Sequence, residues 1–242
     1  YIGLTPFNAA LGTISTVNGR AIVEARKLDP PRIIPTFIKE DDHSGKYEGA
    51  YVSEPKRGFQ ENIISFDANS LYPSVMVTLN LSPETKIGSI VGTDSNKVYI
   101  KTVNNKDIEM SYGDFNKWCT KNEIAVTRAK KLFSQKTKGI FPRITDHFYD
   151  IRKEKKQGWN EAREEKHQLS VKLKKEKNKE NKIKLKKKIV ETQLKIDQLW
   201  IGQFTLKILI NRIYGYFGNK NSAMADGDIA RSITLTGRDI IK

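Results

Sequence analysis

The chain has 242 residues, a single cysteine, 38% hydrophobic residues and a net charge of +15. That length holds a sizeable core in one or two domains; the lone Cys119 excludes an intrachain disulfide framework and a cysteine-based zinc site, and no apolar run approaches the ~18 residues of a membrane-spanning helix. The charge is uneven: Arg152 to Lys188 carries 16 Lys/Arg against 6 Asp/Glu, a net of +10, leaving +5 elsewhere, and such a block fits either a polyanionic partner such as nucleic acid or a solvated helix pair laced with charge.

The chain begins with Tyr1 rather than Met, and Arg238 to Lys242 have the pattern of a helix interior, so we expect a segment of a longer protein. Residues 1–37 read as mixed structure. Phe7 to Ile14 is apolar, Asp29-Pro30-Pro31 marks a break, and Ile33 to Phe37 is expected as a short strand. Glu40 to Lys46 is polar and loop-like. In Tyr47-Glu48-Gly49-Ala50-Tyr51-Val52 the glycine permits close backbone approach and the tyrosine can contact a sugar or base; taken alone, the string reads better as a plain strand with a glycine bulge. Ile63, Ile64 and Phe66 predict a short strand leading into Asp67. A carboxylate at the end of a buried strand is costly unless a cation pairs with it. The turn Ala68-Asn69-Ser70-Leu71-Tyr72-Pro73 follows. Taken alone, Asp67 reads as well or better as an ordinary acidic helix cap.

Residues 90–140 alternate short apolar runs with turn signals, which predicts β-hairpins and a short helix around Tyr112 to Thr120. Phe115, Trp118 and Phe133 are assigned to the core. Ile144 to Lys177 is helical in pattern, Asn178 to Asn181 a turn, and Ile183 to Phe217 helical again with a disturbance expected at Gly202. Ile189, Ile196, Leu199, Leu206 and Ile213 recur at roughly helical spacing. We therefore expect an antiparallel helical hairpin projecting from a β-rich base; its tip is too polar for a long heptad seam. Gly218 to Gly227 breaks the pattern, and Ile229 to Lys242 resumes as a helix with Asp228 as its N-cap.

Two strings carry a resemblance. Asp67 followed by Ser70-Leu71-Tyr72-Pro73-Ser74 resembles motif A of family B DNA polymerases, and Lys207-Ile208-Leu209-Ile210-Asn211-Arg212-Ile213-Tyr214-Gly215 resembles motif B. They stand in the family's order, with a long helical insertion between them. Asn80-Leu81-Ser82-Pro83-Glu84-Thr85 looks like a string of the T-even-like bacteriophage members. The resemblance implies an α+β fold: a partial palm of sheet and helices with an antiparallel helical-hairpin fingers subdomain. It divides the chain into residues 1–37 leading in from an amino-terminal region, 38–140 as the first part of the palm, 141–218 as the fingers, and 219–242 as an incomplete return into the palm.

The implied activity is template-directed DNA synthesis, and the implied site follows residue by residue. Asp67 and Lys207 would be catalytic. Asp67, through its carboxylate, and Ala68, through its carbonyl, would bind Mg²⁺ in a two-metal site whose second carboxylate comes from outside this chain. Asn69, Ser70, Leu71 and Tyr72 would meet the incoming nucleotide, the turn offering backbone N–H groups to its phosphates. Lys207, Asn211 and Tyr214, at i, i+4 and i+7, share one helix face. Arg152 and Lys156, also i and i+4, match the family's basic pair at the base of the fingers and with Lys207 and Asn211 would hold the nucleotide. Tyr47, Gly49, Ala50, Tyr214 and Gly215 would contact DNA. The implied partners are primer–template DNA, deoxynucleoside triphosphates, the remainder of the polymerase (motif C palm, thumb and exonuclease domain) and a sliding clamp. No membrane is implied, and the expected setting is the cytoplasm of an infected bacterial host.

This sequence departs from the family's pattern in two ways. Arg212 replaces the small serine of motif B; it would either crowd the nascent base pair or reach out to phosphate. Motif C, the D-T-D hairpin with the other metal-binding carboxylate, is absent. Asp226-Gly227-Asp228 imitates its spacing, but no strand precedes it and the position calls for a helix cap. A non-catalytic nucleic-acid-binding protein using the basic hairpin is the alternative, and a degenerate, inactive polymerase is a third reading; a simple binder has no need of Asp67 with Lys207 and Asn211.

Overall fold

The computed structural model describes residues 12–34, 49, 51–65, 67–68, 70–219 and 221–241. The elements are α1 (Thr13–Arg26), α2 (Leu71–Thr78), β1 (Lys86–Thr93), β2 (Lys97–Thr102), β3 (Asp107–Ser111), α3 (Tyr112–Lys121), β4 (Ile124–Val126), β5 (Lys131–Ser134), α4 (Ile140–Lys175), α5 (Lys179–Phe217) and α6 (Gly227–Ile241). This is an α+β chain. It divides into two compact units, Tyr1–Thr145 with Asn211–Lys242, and Asp146–Ile210. None of its described helices is long and apolar enough to cross a membrane.

The sheet of the first unit is antiparallel throughout, in the order β3-β2-β1-β5-β4. Alternation along β2 buries Val98 and Ile100 on one face, where they meet Leu132 of β5 and Phe115 of α3, with Trp118 and Ile108 packed against them. Phe115 and Phe133 are thus buried and the half-buried Trp118 packs against the Val98–Phe115 cluster, in line with their assignment to the core. Helix α3 starts where the Ser111 hydroxyl accepts the Asp114 N–H at 3.1 Å, satisfying a first-turn donor. At Gly88 the neighbouring strand passes so close that a side chain would strike the Lys101 carbonyl.

The string Asn80–Thr85 ties this sheet to the start of α4. Buried Asn80 has positive φ (51°). Its amide donates to the Ser134 and Thr137 carbonyls at 2.6 and 2.8 Å and accepts the Gly139 N–H at 2.8 Å. Glu84 accepts the Ile140 N–H at the head of α4, where a carboxylate is electrostatically favoured.

Three expected elements of this unit change. Residues 13–26, read as mixed, form α1, and its buried face carries Thr16, Arg20 and Glu24 among Val17, Ala21 and Ala25, so the apolar stripe is too weak to see. Among the described residues the strand expected before Asp67 does not form: Ile63 and Ile64 are about three-quarters exposed, at 74% and 76%, and residues 63–65 pair with no described strand, for an apolar strand buries only when a neighbour supplies its ladder; Phe66 lies outside the described residues. Ile33 and Ile34 are likewise not strand, and the rest of that expected strand lies outside the described residues.

The second unit is an antiparallel helical hairpin. Lys166 Nζ donates to Gln193 at 2.5 Å, Lys188 pairs with Glu165 at 3.3 Å, Gly158 abuts Leu199, and Gly202 abuts Lys155. Helix α5 runs unbroken through Gly202; the glycine serves close packing, since a Cβ there would sit 3.0 Å from the Lys155 stem. At the tip, Asn178 Oδ1 accepts the Glu180 N–H at 2.8 Å and starts α5.

Candidate nucleotide and metal site

Asp67 and Ala68 are exposed and in neither helix nor strand. Among the described residues no group of three or more His, Cys, Asp or Glu is placed to hold a metal ion. One carboxylate and one carbonyl leave most of the oxygen positions of a hard divalent cation unfilled, so the described residues do not by themselves build a metal site. Ser70, the N-cap of α2, adopts left-handed geometry (φ 53°, ψ 43°), and its side chain does not cap the helix. In the first turn of α2, Leu71 and Tyr72 have N–H groups at positions without an intrahelical partner, and Pro73 has no N–H to offer.

Tyr72, on the first turn of α2, is half-buried against two elements of its unit. Its ring lies 4.8 Å from that of Tyr214 at 48°, a tilted aromatic contact. On α6, Gly237 approaches the same ring so closely that a Cβ would come within 2.8 Å of Tyr72 Cε1. The tyrosines of the two strings, 142 residues apart in sequence, are therefore in contact. Neither spacing nor periodicity pointed to Gly237; the one available signal is a small residue on the buried face of α6, seven after Ala230 and four after Ile233.

In the hairpin unit Arg152 is half-buried on α4, and its buried Nε–H has no hydrogen-bond partner among the described residues. Lys156 and Lys207 are exposed. The contacts Gly158–Leu199 and Lys155–Gly202 set the register of α4 against α5, and continuing it puts Thr205 opposite Arg152, with Lys207 two residues further along α5. Lys207, Asn211, Arg212, Tyr214 and Gly215 all fall within the single helix α5, and Asn211, Arg212 and Gly215 are exposed. Gly49 is exposed with open space around it, while Tyr47, Ala50 and Asn69 lie outside the described residues.

Asp226-Gly227-Asp228 is a helix start held by lysines. The N-cap of α6 is Asp226 rather than Asp228: its Oδ1 accepts the N–H groups of Asp228 and Ile229 at 2.9 and 3.2 Å. Lys86 of β1 reaches Asp226 at 3.2 Å and Asp228 at 2.6 Å, and Lys131 of β5 reaches Asp228 at 2.9 Å. Burial alone would raise the Asp228 pKa, but these two lysines hold it below the usual carboxylate value. Burial would lower Lys86, and the two carboxylates outweigh it and raise the pKa.

Comparison with known proteins follows the same residues. The family described as DNA polymerase family B matches residues 23–177 and 169–242. The DNA polymerase of Orf virus (strain NZ2) is 28% identical over 196 residues, which is 81% of this chain and 17% of that protein. The DNA polymerase of Archaeoglobus fulgidus is 27% identical over 201 residues, 83% of this chain and 18% of that protein. The DNA polymerase alpha catalytic subunit of Arabidopsis thaliana is 30% identical over 197 residues, 81% of this chain and 9% of that protein. The chain thus spans less than a fifth of the length of these relatives. The solved structure of the family B DNA polymerase from the hyperthermophilic archaeon Pyrobaculum calidifontis shares its fold, with a TM-score of 0.51 at 19% identity, over 95% of this chain and 23% of that one.

Proposed function

Because this chain belongs to DNA polymerase family B, we propose that it is the nucleotide-binding half of a template-directed DNA polymerase site. The observation that carries this reading is the contact between Tyr72 and Tyr214: the two strings that resemble motifs A and B converge on one pair of rings. In this reading Tyr72 lies under the sugar of an incoming deoxynucleotide, and the left-handed turn at Ser70 turns backbone N–H groups toward its phosphates. Asn69 and Leu71 belong to the same nucleotide contact. Arg152, Lys156, Lys207 and Asn211 hold the triphosphate; the unpartnered buried Nε–H of Arg152 supports this, since a buried donor calls for an acceptor. Tyr47, Gly49, Ala50, Tyr214 and Gly215 are assigned to DNA.

Asp67 and the Ala68 carbonyl are assigned to Mg²⁺, with the second carboxylate supplied from outside these 242 residues. When bound, the cations would lower the primer hydroxyl pKa and offset charge on the phosphates. The same reading gives the chain its larger setting: palm, fingers and return, completed by a motif C palm, thumb and exonuclease domain, with a sliding clamp on primer–template DNA. The string Asn80–Thr85 supports an affinity with polymerases of T-even-like bacteriophages, hence the cytoplasm of an infected bacterial host.

The test is Asp67→Asn in the full-length polymerase that carries this segment. It keeps the size and removes the charge. Primer extension should collapse while primer–template affinity stays close to wild type. Undiminished extension by Asp67→Asn would overturn the assignment.

A further inference from the structure

Gly237 occupies a position in α6 where a glycine is a cost. It is buried in the interior of a 15-residue helix, and an interior glycine forfeits backbone entropy that alanine would keep. Its surroundings give the reason. A Cβ at 237 would meet Tyr72 Cε1 at 2.8 Å and Cδ1 at 3.2 Å, and Leu71 Cδ2 at an ordinary 3.5 Å. The strike falls on one edge of a rigid ring rather than on the end of a flexible chain. That ring is also in contact with Tyr214, at 4.8 Å between centroids. Tyr72 is therefore held between an aromatic ring and a helix backbone, and only a missing side chain lets the backbone come this near. We infer that Gly237 is a positioning residue for Tyr72: it sets the depth at which the ring lies under the incoming sugar, and so the choice of deoxyribonucleotide over ribonucleotide.

The inference rests on the reading of Tyr72 as the sugar-facing ring. A ring that excludes a 2′-hydroxyl acts by steric repulsion, which works only if the ring cannot move. Adding one methyl group to α6 pushes the Tyr72 ring off the helix and against Tyr214, and so displaces the surface on which the sugar would rest. The burden falls on nucleotide binding, because no group that reacts is altered.

The test is a double-mutant cycle in the full-length polymerase carrying this segment, with kcat and KM measured for matched deoxy- and ribonucleotides. Gly237→Ala should raise KM for deoxynucleotides by about tenfold, leave kcat within about threefold, and change the deoxy-to-ribo efficiency ratio. In a Tyr72→Ala background the same substitution should have no effect, because no ring remains to displace. Tyr72→Phe keeps the ring and should keep both the ratio and the sensitivity to Gly237→Ala. An equal penalty in both backgrounds would show that residue 237 acts on the fold of α6 and not through Tyr72, and would overturn the inference. So would an unchanged KM and ratio in Gly237→Ala alone. An unchanged ratio in Tyr72→Ala would instead overturn the underlying reading of Tyr72, an outcome distinct from both.

Discussion

The basic residues of the hairpin show how little charge alone assigns. Between Arg152 and Lys188 sixteen cations crowd a short stretch, and most are exposed and solvated. One of them and one lysine beyond the stretch are singled out. Arg152 has a buried guanidinium N–H without a partner among the described residues, and Lys207 stands on the opposite helix two residues from the position that faces Arg152. A surface lysine such as Lys186 has water for a partner and loses little when removed. Replacing Arg152 or Lys207 by Ala in the full-length enzyme should therefore weaken nucleotide use by about 1.5–3 kcal/mol, the loss of one charge-assisted contact. DNA binding should change less. Single-nucleotide incorporation across a concentration series measures this; an effect of Lys186→Ala as large as that of Lys207→Ala would show the assignment to be wrong. Arg212 was legible as a departure from motif B, and it is exposed on α5.

At the scale of elements, α6 is held to the sheet by the four charges Lys86, Lys131, Asp226 and Asp228. Lys86 and Lys131 are mostly shielded, at 19% side-chain exposure each, so this set lies between a surface pair and a buried one. Lys86→Met should cost roughly 1–3 kcal/mol at neutral pH, between the ranges typical of those two cases. The pH dependence has a definite sign. The raised Lys86 pKa gives stability that is full below the ordinary lysine value of 10.5 and is lost as pH climbs through the higher folded value. The lowered Asp228 pKa gives stability that is full above the ordinary 3.8 and is lost as pH falls through the lower folded value. Thermal melting from pH 3 to 11 should show both shoulders, and Lys86→Met should remove the alkaline one; a variant that melts like wild type throughout would show that the lysine bears no load. This network was not legible in sequence, where Asp228 read as a cap and Lys86 as one lysine among many, because 140 residues separate Lys86 from Asp226. The hairpin was legible, because helical periodicity and a polar tip are local. Helix α1 was not: its buried face is built on Thr16, Arg20 and Glu24, and the ion pair between the last two replaces apolar patterning. The strand before Asp67 failed for the opposite reason, since Ile63 and Ile64 have the right composition but no partner strand among the described residues.

For the molecule as a whole, the question is what these 242 residues can do by themselves. Phosphoryl transfer to a primer needs the nucleotide, the primer end and two cations in one place. In the function proposed above, the Ser70 turn and the Tyr72–Tyr214 pair of one unit, and the cations on α4 and α5 of the other, serve the first. The chain is poor in what the cations need, for among the described residues no group of three or more His, Cys, Asp or Glu is placed to hold a metal with Asp67, and the carboxylates of Asp226 and Asp228 are already engaged by Lys86 and Lys131. Recruiting that pair for a metal would mean stripping two lysines from them and unpinning the head of α6. We therefore expect the purified 242-residue chain to bind primer–template DNA weakly and with strong salt dependence, as a net charge of +15 requires, yet not to extend the primer. Supplying a segment that bears the D-T-D hairpin and a thumb should restore Mg²⁺-dependent synthesis, and Asp67→Asn should abolish it again. Gel-based primer extension with the chain alone, the second segment alone and the two together decides the matter. Robust extension by the chain alone would mean that its own residues complete the metal site, and that the lysine-held Asp226 and Asp228 must be reconsidered as ligands.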